Sequence, residues 1–204
     1  MQGRSSRIAR ARARSIFDSR GRPTVEVDVE LADGSTGRAS VPSGGSKGRY
    51  EAHEKRDGDP ERFGGLGVLG AVASVHGEIG AWIVGRDALD QQAFDDGLVA
   101  LDGTVALRRL GANAVLATSL ATARAAASHV REPLYRYLSR LSSTSAPSLP
   151  MPMANVLSGG AHVTGGLDFQ DFLILPIGAT SFSEAARWIG DVARSAGEVA
   201  RAED

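Results

Sequence analysis

The sequence predicts an α+β domain followed by a shorter segment of different character, and three observations predict this order. Charged and apolar residues alternate between residues 10 and 41, which is typical of half-buried strands. Apolar residues then recur at three- and four-residue spacing from residue 66 to residue 138, which indicates amphipathic helices. Residues 142–148 (SSTSAPS) have the composition of a linker. We therefore predict a domain over residues 1–141, a linker over 142–149 and a second segment over 150–204.

The overall composition is ordinary for a soluble globular protein. The 204 residues are 42% hydrophobic and 23% charged, and the formal net charge is −1, so nothing global points to nucleic acid or to an acidic membrane surface. The absence of cysteine excludes disulfides, thiolate nucleophiles and cysteine metal sites. No apolar run approaches the roughly 20 residues of a membrane span. We expect a cytoplasmic protein.

The strand pattern predicts a three-stranded antiparallel meander. Arginines alternate with small residues over residues 10–15, and valines alternate with acids over residues 25–31. Residues 18–24 form a turn, and Asp33-Gly34 is a hairpin dipeptide that leads into a third strand over residues 36–41. An arginine-rich, acid-poor beginning is also typical of an organelle transit peptide, but the alternation favours a strand. Its arginine face could be solvated or could meet a partner's carboxylates.

Four helices are predicted in the remainder of the first domain. The first would bury Leu66, Leu69, Val72, Val75, Ile79 and Ile83. The second, over residues 88–101, would bury Phe94, Leu98 and Leu101. The third would be capped by Asn113 and would bury Leu116, Leu120, Ala123, Ala127 and Val130. A short helix would begin at Pro133.

The segment after the linker predicts two strands and a helix. The short apolar runs at residues 151–157 and 169–175 flank a glycine-rich loop, residues 158–166. Ser181 and Glu184 fit a capping box. The helix that they open would place Ala185, Trp188, Ile189, Val192, Ala196 and Val199 on one face. Two strands and one helix cannot cover both faces of a sheet, so we expect exposed apolar surface or a partner.

The stretch between residues 43 and 59 (SGGSKGRYEAHEKRDGD) is rich in glycine and charge and has no apolar periodicity. It could be a mobile surface loop or a loop that covers a ligand, since functional residues often lie on such loops. Asp57 and Asp59 are interpreted as solvated charges and Tyr50 as a packing residue. His53, His76 and His129 have no motif support and are interpreted as structural or exposed.

Several co-linear motifs resemble those of the enolase family. They are FDSRGRPTVEV (17–27), VPSGGS (41–46), RDGD (56–59), LGANA (110–114), GGAH (159–162), FQDF (169–172) and PIGA (176–179). The resemblance extends over nearly the whole chain from about residue 7. It implies an α+β N-terminal domain, a three-stranded antiparallel meander plus helices, followed by the beginning of an enolase-type α/β barrel. The implied reaction is the reversible dehydration of 2-phosphoglycerate to phosphoenolpyruvate in glycolysis, with Mg²⁺ as cofactor.

The resemblance also implies residue roles. Ser46 matches a loop serine that coordinates Mg²⁺ when the loop closes over substrate. His162 and Asp171 match catalytic positions, and His162, Gln170 and Asp171 match substrate-binding positions. Arg14 and Arg20 lie in the segment that forms the family's dimer interface, so we expect a homodimer or pairing with another enolase chain.

The sequence departs from the family pattern at particular positions. Lys47 stands where threonine is usual, Gly45 replaces alanine, and Ser158 replaces asparagine. Asp171 replaces glutamate, which shortens the side chain by one methylene. The family's three metal-binding carboxylates, its base lysine and a second catalytic glutamate have no counterpart in this sequence. We therefore expect a chain that is truncated relative to the family and inactive alone. The alternative is a non-catalytic binding or scaffold protein that pairs with a full-length enolase.

Overall fold

The structure is a computed structural model that describes residues 5–44, 48–142, 147–160 and 167–202. The chain divides into two compact units, residues 1–146 and residues 147–204. The first unit begins with strands β1 (Ile8–Phe17), β2 (Pro23–Leu31) and β3 (Thr36–Val41). Helices α1 (Leu69–Ser74), α2 (Gly80–Ile83), α3 (Gln91–Asp102), α4 (Ala112–His129) and α5 (Leu134–Leu141) follow. The second unit contains β4 (Ala154–Ser158), β5 (Asp171–Ile174) and α6 (Phe182–Ala202).

The three strands of the first unit form the predicted antiparallel meander in the order β1-β2-β3. Val27 lies opposite Ala13 on one side and opposite Ala39 on the other. The inward face of β2 is fully buried, and it supplies Val25, Val27, Val29 and Leu31 to the core. Alternation in the sequence predicted this face correctly because one side of the sheet faces solvent and the other faces the helices.

The solvent face of the sheet is a set of charge pairs between neighbouring strands. The Arg10 Nε donates to Glu30 at 2.8 Å, and Arg14 donates to Asp28 at 2.7 Å. From β3, the Arg38 Nε donates to Asp28 at 2.5 Å. The carboxylates that meet Arg10 and Arg14 of β1 are therefore those of β2 in the same chain. Such exposed pairs each contribute about 1 kcal/mol or less.

The helix predicted from residue 66 to residue 83 is interrupted. Between α1 and α2 a wider turn, Val75–Ile79, contains Gly77 at φ −92° and ψ −108°. The Ala13 N–H of β1 donates to His76 Nε2 at 2.9 Å, which ties this turn to the edge of the sheet. The predicted inward residues Leu66 and Leu69 are exposed. Val75, Ile79 and Ile83 are buried as predicted, and Val68 and Ala71 are buried beside them.

Helix α3 buries Phe94 and Leu98 as predicted, and the Asp90 carboxylate caps it by accepting from the Ala93 N–H. In α4 two predictions were wrong. The residue at the N-cap is Gly111 rather than Asn113. Leu116 and Leu120 are 46% and 42% exposed. Ala123 and Ala127 are buried as predicted. The helix turns its small residues to the sheet, and the buried set also includes Ala114, Ala117, Thr118, Ala121, Thr122, Ala125 and Ala126.

In the second unit, β4 and β5 pair antiparallel, with Ser158 opposite Asp171. The Glu184 N–H donates to the Ser181 hydroxyl at 3.2 Å, as a capping box requires, but the Glu184 carboxylate accepts from the Thr180 N–H instead of that of Ser181. On α6 Ala185 is buried, whereas Val192 and Val199 of the predicted apolar face are exposed. Among the described helices of the chain, none is long and apolar enough to cross a membrane.

Asp33, in the β2–β3 turn, leads to a prediction about acid stability. Its carboxylate accepts from the Ser35 N–H at 2.9 Å and from the Ser35 hydroxyl at 3.1 Å, and lies 2.9 Å from His129 Nδ1. These contacts, the Ser35 amide first, lower the pKa of Asp33 from 3.8 to about 2. A pKa lowered by folding stabilises the folded state above about pH 4, and this stabilisation is lost as the pH falls towards about 2.

We therefore expect Asp33→Asn to lower the free energy of unfolding by about 1–2 kcal/mol at neutral pH. The variant should also lose less stability than the parent between about pH 4 and pH 2. The measurement is urea unfolding at a series of pH values, followed by Trp82 fluorescence in a Trp188→Phe background. It gives the free energy of unfolding at neutral pH and its change at acid pH. Asp96→Asn, at an exposed position of α3, is the control and should change stability little. An acid-induced loss as steep in Asp33→Asn as in the parent would contradict the assignment.

Candidate functional site

The glycine-rich loop after β3 is anchored by Arg56, whose side chain is only 14% exposed. Its guanidinium donates to the carbonyl oxygens of Pro23 at 2.6 Å and of Leu66 at 2.7 Å. It also donates to the Glu54 carboxylate at 3.2 Å and to the Ser43 hydroxyl. Ser43 in turn donates to Glu54 at 2.7 Å. One guanidinium thus joins the β1–β2 turn, the loop base and the approach to α1.

Asn113 holds the segment after the loop against the start of α4. Its Oδ1 accepts from the Lys55 N–H at 3.2 Å, and its Nδ2 donates to the Lys55 carbonyl at 3.1 Å. The Lys55 ammonium donates to the Arg109 carbonyl at 3.0 Å and to the Ser74 hydroxyl at 3.2 Å. Asn113 is therefore a clamp between loop and helix, and this is why its predicted capping role was wrong.

The other predicted residues of this stretch have structural or external positions. The Asp57 carboxylate accepts from the Leu69 and Gly70 N–H groups at 2.9 and 2.8 Å, so it caps α1 rather than remaining a solvated charge. Asp59 accepts from the Glu61 N–H at 3.0 Å within a turn. Tyr50, which we expected to pack, is 92% exposed. Ser46, Gly45 and Lys47 lie outside the described residues.

In the second unit, Asp171 is the centre of a polar cluster at the beginning of β5. The Asn155 Nδ2 donates to Asp171 Oδ1 at 2.7 Å and to the Ser158 hydroxyl at 2.7 Å. The Gln170 Nε2 donates to the other carboxylate oxygen of Asp171 at 3.3 Å. The structure therefore brings together Gln170 and Asp171, both exposed, and adds Asn155 and Ser158. His162, the other predicted residue, lies outside the described residues.

Two glycines make this cluster possible. The Gly159 N–H donates to the Gln170 carbonyl at 2.8 Å, and the Gly160 N–H donates to the Leu167 carbonyl at 2.7 Å. A Cβ at Gly159 would lie 2.4 Å from the carbonyl oxygen of Phe169, so only glycine permits this approach. The pairing fixes the two ends of the glycine-rich loop beside Asp171.

Asn155 is the residue that the sequence reasoning missed. Its signal was weak: a single amide within the apolar run MPMANVL, residues 151–157. A polar residue inside an apolar strand needs a hydrogen-bond partner, so it indicates a specific contact without saying which one. The antiparallel pairing of β4 and β5 supplies that partner, because it places Ser158 opposite Asp171.

The described residues do not by themselves fit a bound divalent metal. Among residues 5–44, 48–142, 147–160 and 167–202, no group of three or more His, Cys, Asp or Glu side chains is arranged to hold one. Both carboxylate oxygens of Asp171 accept hydrogen bonds from amides. A hard cation such as Mg²⁺ takes carboxylate and other oxygen ligands, and this cluster offers one carboxylate.

Two protein-family models match the chain. Residues 8–138 match the family described as enolase, N-terminal domain. The chain belongs to the enolase family. Residues 146–204 match the description enolase, C-terminal TIM barrel domain. The first match contains the meander, the loop base and helices α1 to α4, and the second contains the Asn155–Asp171 cluster. Within the second match the described residues form two strands, where a complete barrel of this class has eight.

Enolase membership confirms the predicted fold class, an α+β domain with a three-stranded antiparallel sheet followed by the start of a barrel domain. It also gives the chain an enolase-type lyase character at the level of the family. Enolases are generally Mg²⁺-dependent, act on phosphorylated substrates and form dimers. Of the two residues predicted at a dimer interface, Arg14 pairs with Glu26 and Asp28 on the sheet surface, and Arg20 lies in the exposed β1–β2 turn.

Proposed function

We propose that this chain supplies the Gln170–Asp171 edge of a site that interconverts 2-phosphoglycerate and phosphoenolpyruvate. The observation that supports this most is the position of the Asp171 carboxylate between two amide donors, those of Asn155 and Gln170. Dehydration removes a proton from one carbon and a hydroxyl from its neighbour, and the hydroxyl takes up a proton and leaves as water. Asp171 has the role of binding that hydroxyl and of assisting the proton transfer that releases it.

The geometry of Asp171 suits this role. An ionised carboxylate has about four lone-pair positions, and the amides of Asn155 and Gln170 use two of them. The remaining positions can accept a hydrogen bond from a substrate hydroxyl or from water. Because two amides orient the carboxylate, little of its rotational freedom is left to be lost when substrate binds. No described residue is assigned as the base for the carbon proton.

Bound Mg²⁺ would supply charge stabilisation for the dianionic intermediate, as in the family, with Ser46 as the loop ligand. Since the described residues do not fit the metal by themselves, the steps assigned here do not pass through it. We propose that the 204-residue chain alone does not turn over substrate, because among the described residues this cluster offers one oriented carboxylate and no group of metal-binding side chains. The same family likeness supports a cytoplasmic, dimeric protein of glycolysis.

Two preparations test this proposal. The first is the purified chain, assayed with 2-phosphoglycerate and Mg²⁺ by the ultraviolet absorbance of phosphoenolpyruvate; we expect no turnover above background. The second is a chimera in which this chain is continued in frame by the rest of a barrel from an active enolase; we expect turnover. Family-like rates from the chain alone would overturn the inactivity. A folded chimera without activity would overturn the site, and folding is checked by circular dichroism.

A further inference from the structure

A polar cleft of about 290 Å³ lies on the first unit, beside the loop base. Its lining includes three groups that are or can become cationic, Arg49, His53 and Arg108, and two carboxylates, Glu51 and Glu54. All of these belong to the same compact unit. The cleft has no part in the proposed lyase site. Two glutamates would be expected to balance two arginines, but the contacts of the glutamates show that they do not.

The two carboxylates of the cleft are already engaged. Glu54 accepts from the Ser43 hydroxyl at 2.7 Å and from the Arg56 guanidinium at 3.2 Å, so an arginine outside the cleft lining neutralises it. Glu51 accepts from the Gly48 N–H at 2.9 Å. In the described part of the chain, by contrast, the side chains of Arg49, His53 and Arg108 make no hydrogen bond or ion pair. Glu51 keeps its negative charge, so the two arginines face one carboxylate that no other cation among the described residues neutralises, and the cleft has a net positive charge.

The backbone that presents Arg108 is braced, so its position beside His53 is built into the fold. The His53 N–H donates to the Ala106 carbonyl at 2.7 Å, and the Ala112 N–H donates to the His53 carbonyl at 2.8 Å. The Arg108 N–H donates to the Thr104 hydroxyl at 2.8 Å. Leu107 has a φ of +52°, a left-handed conformation that is costly for a leucine.

The buried carboxylate of Asp102 also holds the segment that contains Arg108, residues 104–110. It accepts from the Leu110 N–H at 2.7 Å and from the Thr104 N–H at 3.1 Å. The neighbouring Arg109 is fully used: it donates to Glu78 at 2.7 Å and to the Asp102 carbonyl at 3.1 Å. Arg109 is thus held by bonds within the protein, and the strained Leu107 comes directly before Arg108, which lines the cleft. Such strain often accompanies a binding role.

We propose that this cleft binds the phosphate group of a small phosphorylated anion, with Arg49 and Arg108 as its charged donors and His53 as a third contact. Guanidinium groups match phosphate oxygens with paired hydrogen bonds, and a cleft of this size accommodates one phosphate group with some of its water. The site acts in equilibrium binding. It requires neither Mg²⁺ nor turnover, so it can fail or succeed independently of the proposed lyase function.

The test is a titration of the full chain without Mg²⁺, with chloride salt added to keep the ionic strength constant. Binding is followed by the backbone amide NMR signals of His53 and Arg108. Inorganic phosphate is the probe in one arm and glycerol 3-phosphate in the other. We expect saturable shifts with a dissociation constant on the order of 1 mM. Tighter binding of glycerol 3-phosphate would assign the site to phosphate esters, and equal binding would assign it to the phosphate group alone.

The Arg49→Gln/Arg108→Gln double variant should weaken the affinity at least about tenfold. Both side chains are exposed, so the variant should keep the parent's thermal unfolding. Arg62→Gln is the matched control, because it removes an exposed arginine of the same unit outside the cleft lining, and it should bind phosphate like the parent. Shifts that do not saturate, or equal affinity in the double variant, would overturn the site.

Discussion

Replacing Gly37 by alanine should destabilise the first unit by about 3 kcal/mol or more, the largest effect on stability that we expect from one methyl group. Gly37 lies on β3, on the face that α4 covers. A Cβ at this position would lie 2.2 Å from the Ala121 carbonyl oxygen and 2.3 Å from the Ala125 nitrogen. Both are backbone atoms, so no side-chain rotation relieves the clash and the helix must move off the sheet.

The measurement is urea unfolding followed by Trp82 fluorescence in a Trp188→Phe background, so that the signal reports the first unit. Gly70→Ala is the matched control within the same unit. A Cβ there meets the Asp57 Oδ1 and Lys55 side-chain carbons at 3.4 Å or more, which is ordinary contact. We expect Gly70→Ala to change the free energy of unfolding by less than about 1 kcal/mol. Similar destabilisation by both substitutions would show that the close approach of α4 is not the cause.

The contact at Gly37 also explains which parts of the fold were predictable. Strand alternation depends on large apolar side chains, so the buried face of β2 was evident from its valines. The buried face of α4 was predicted only in part, at Ala123 and Ala127, because the helix packs through small residues and leaves Leu116 and Leu120 outside. Thr118 and Thr122 can be buried since their hydroxyls donate to the Ala114 and Thr118 carbonyls at 2.8 and 2.9 Å. The buried face of α4 is therefore set by how closely its small residues fit against β3, and the most hydrophobic residues of the helix do not decide it.

The candidate site shows the same limit of local reasoning. Family motifs indicated Gln170 and Asp171, but the contacts of Asn155, Arg56 and Asn113 depend on segments distant in sequence. Asn113 lies 58 residues from Lys55, to which it bonds twice. Its side chain looked like a helix cap because capping is the commonest use of asparagine near a helix start. The side chain bonds the loop segment instead, and Gly111, two residues earlier, occupies the N-cap position.

Asp171→Asn should lower kcat of the chimera by about 100-fold or more, since loss of a group that transfers or accepts a proton typically costs this much. The amide keeps the size of the side chain, but it presents an N–H group to a neighbour that is itself a donor. Either the Asn155 or the Gln170 contact is then lost. Asn155→Ala should lower kcat by a smaller factor, about tenfold, because the carboxylate remains and only its orientation is lost.

Steady-state kinetics of the chimera with 2-phosphoglycerate separate these effects. For Asp171→Asn we expect kcat to fall while KM changes little, since the carboxylate acts on the hydroxyl as it leaves. Asp168→Asn, an acid three residues earlier in the same exposed approach to β5, is the control and should retain the parent's kcat. Asp171→Glu restores the side-chain length usual in the family, so it should keep or raise kcat if reach is what limits the carboxylate. If the Asp171→Asn and Asp168→Asn variants of the chimera had equal kcat values, Asp171 would be excluded from the chemistry. Its contacts with the two amides would then be purely structural.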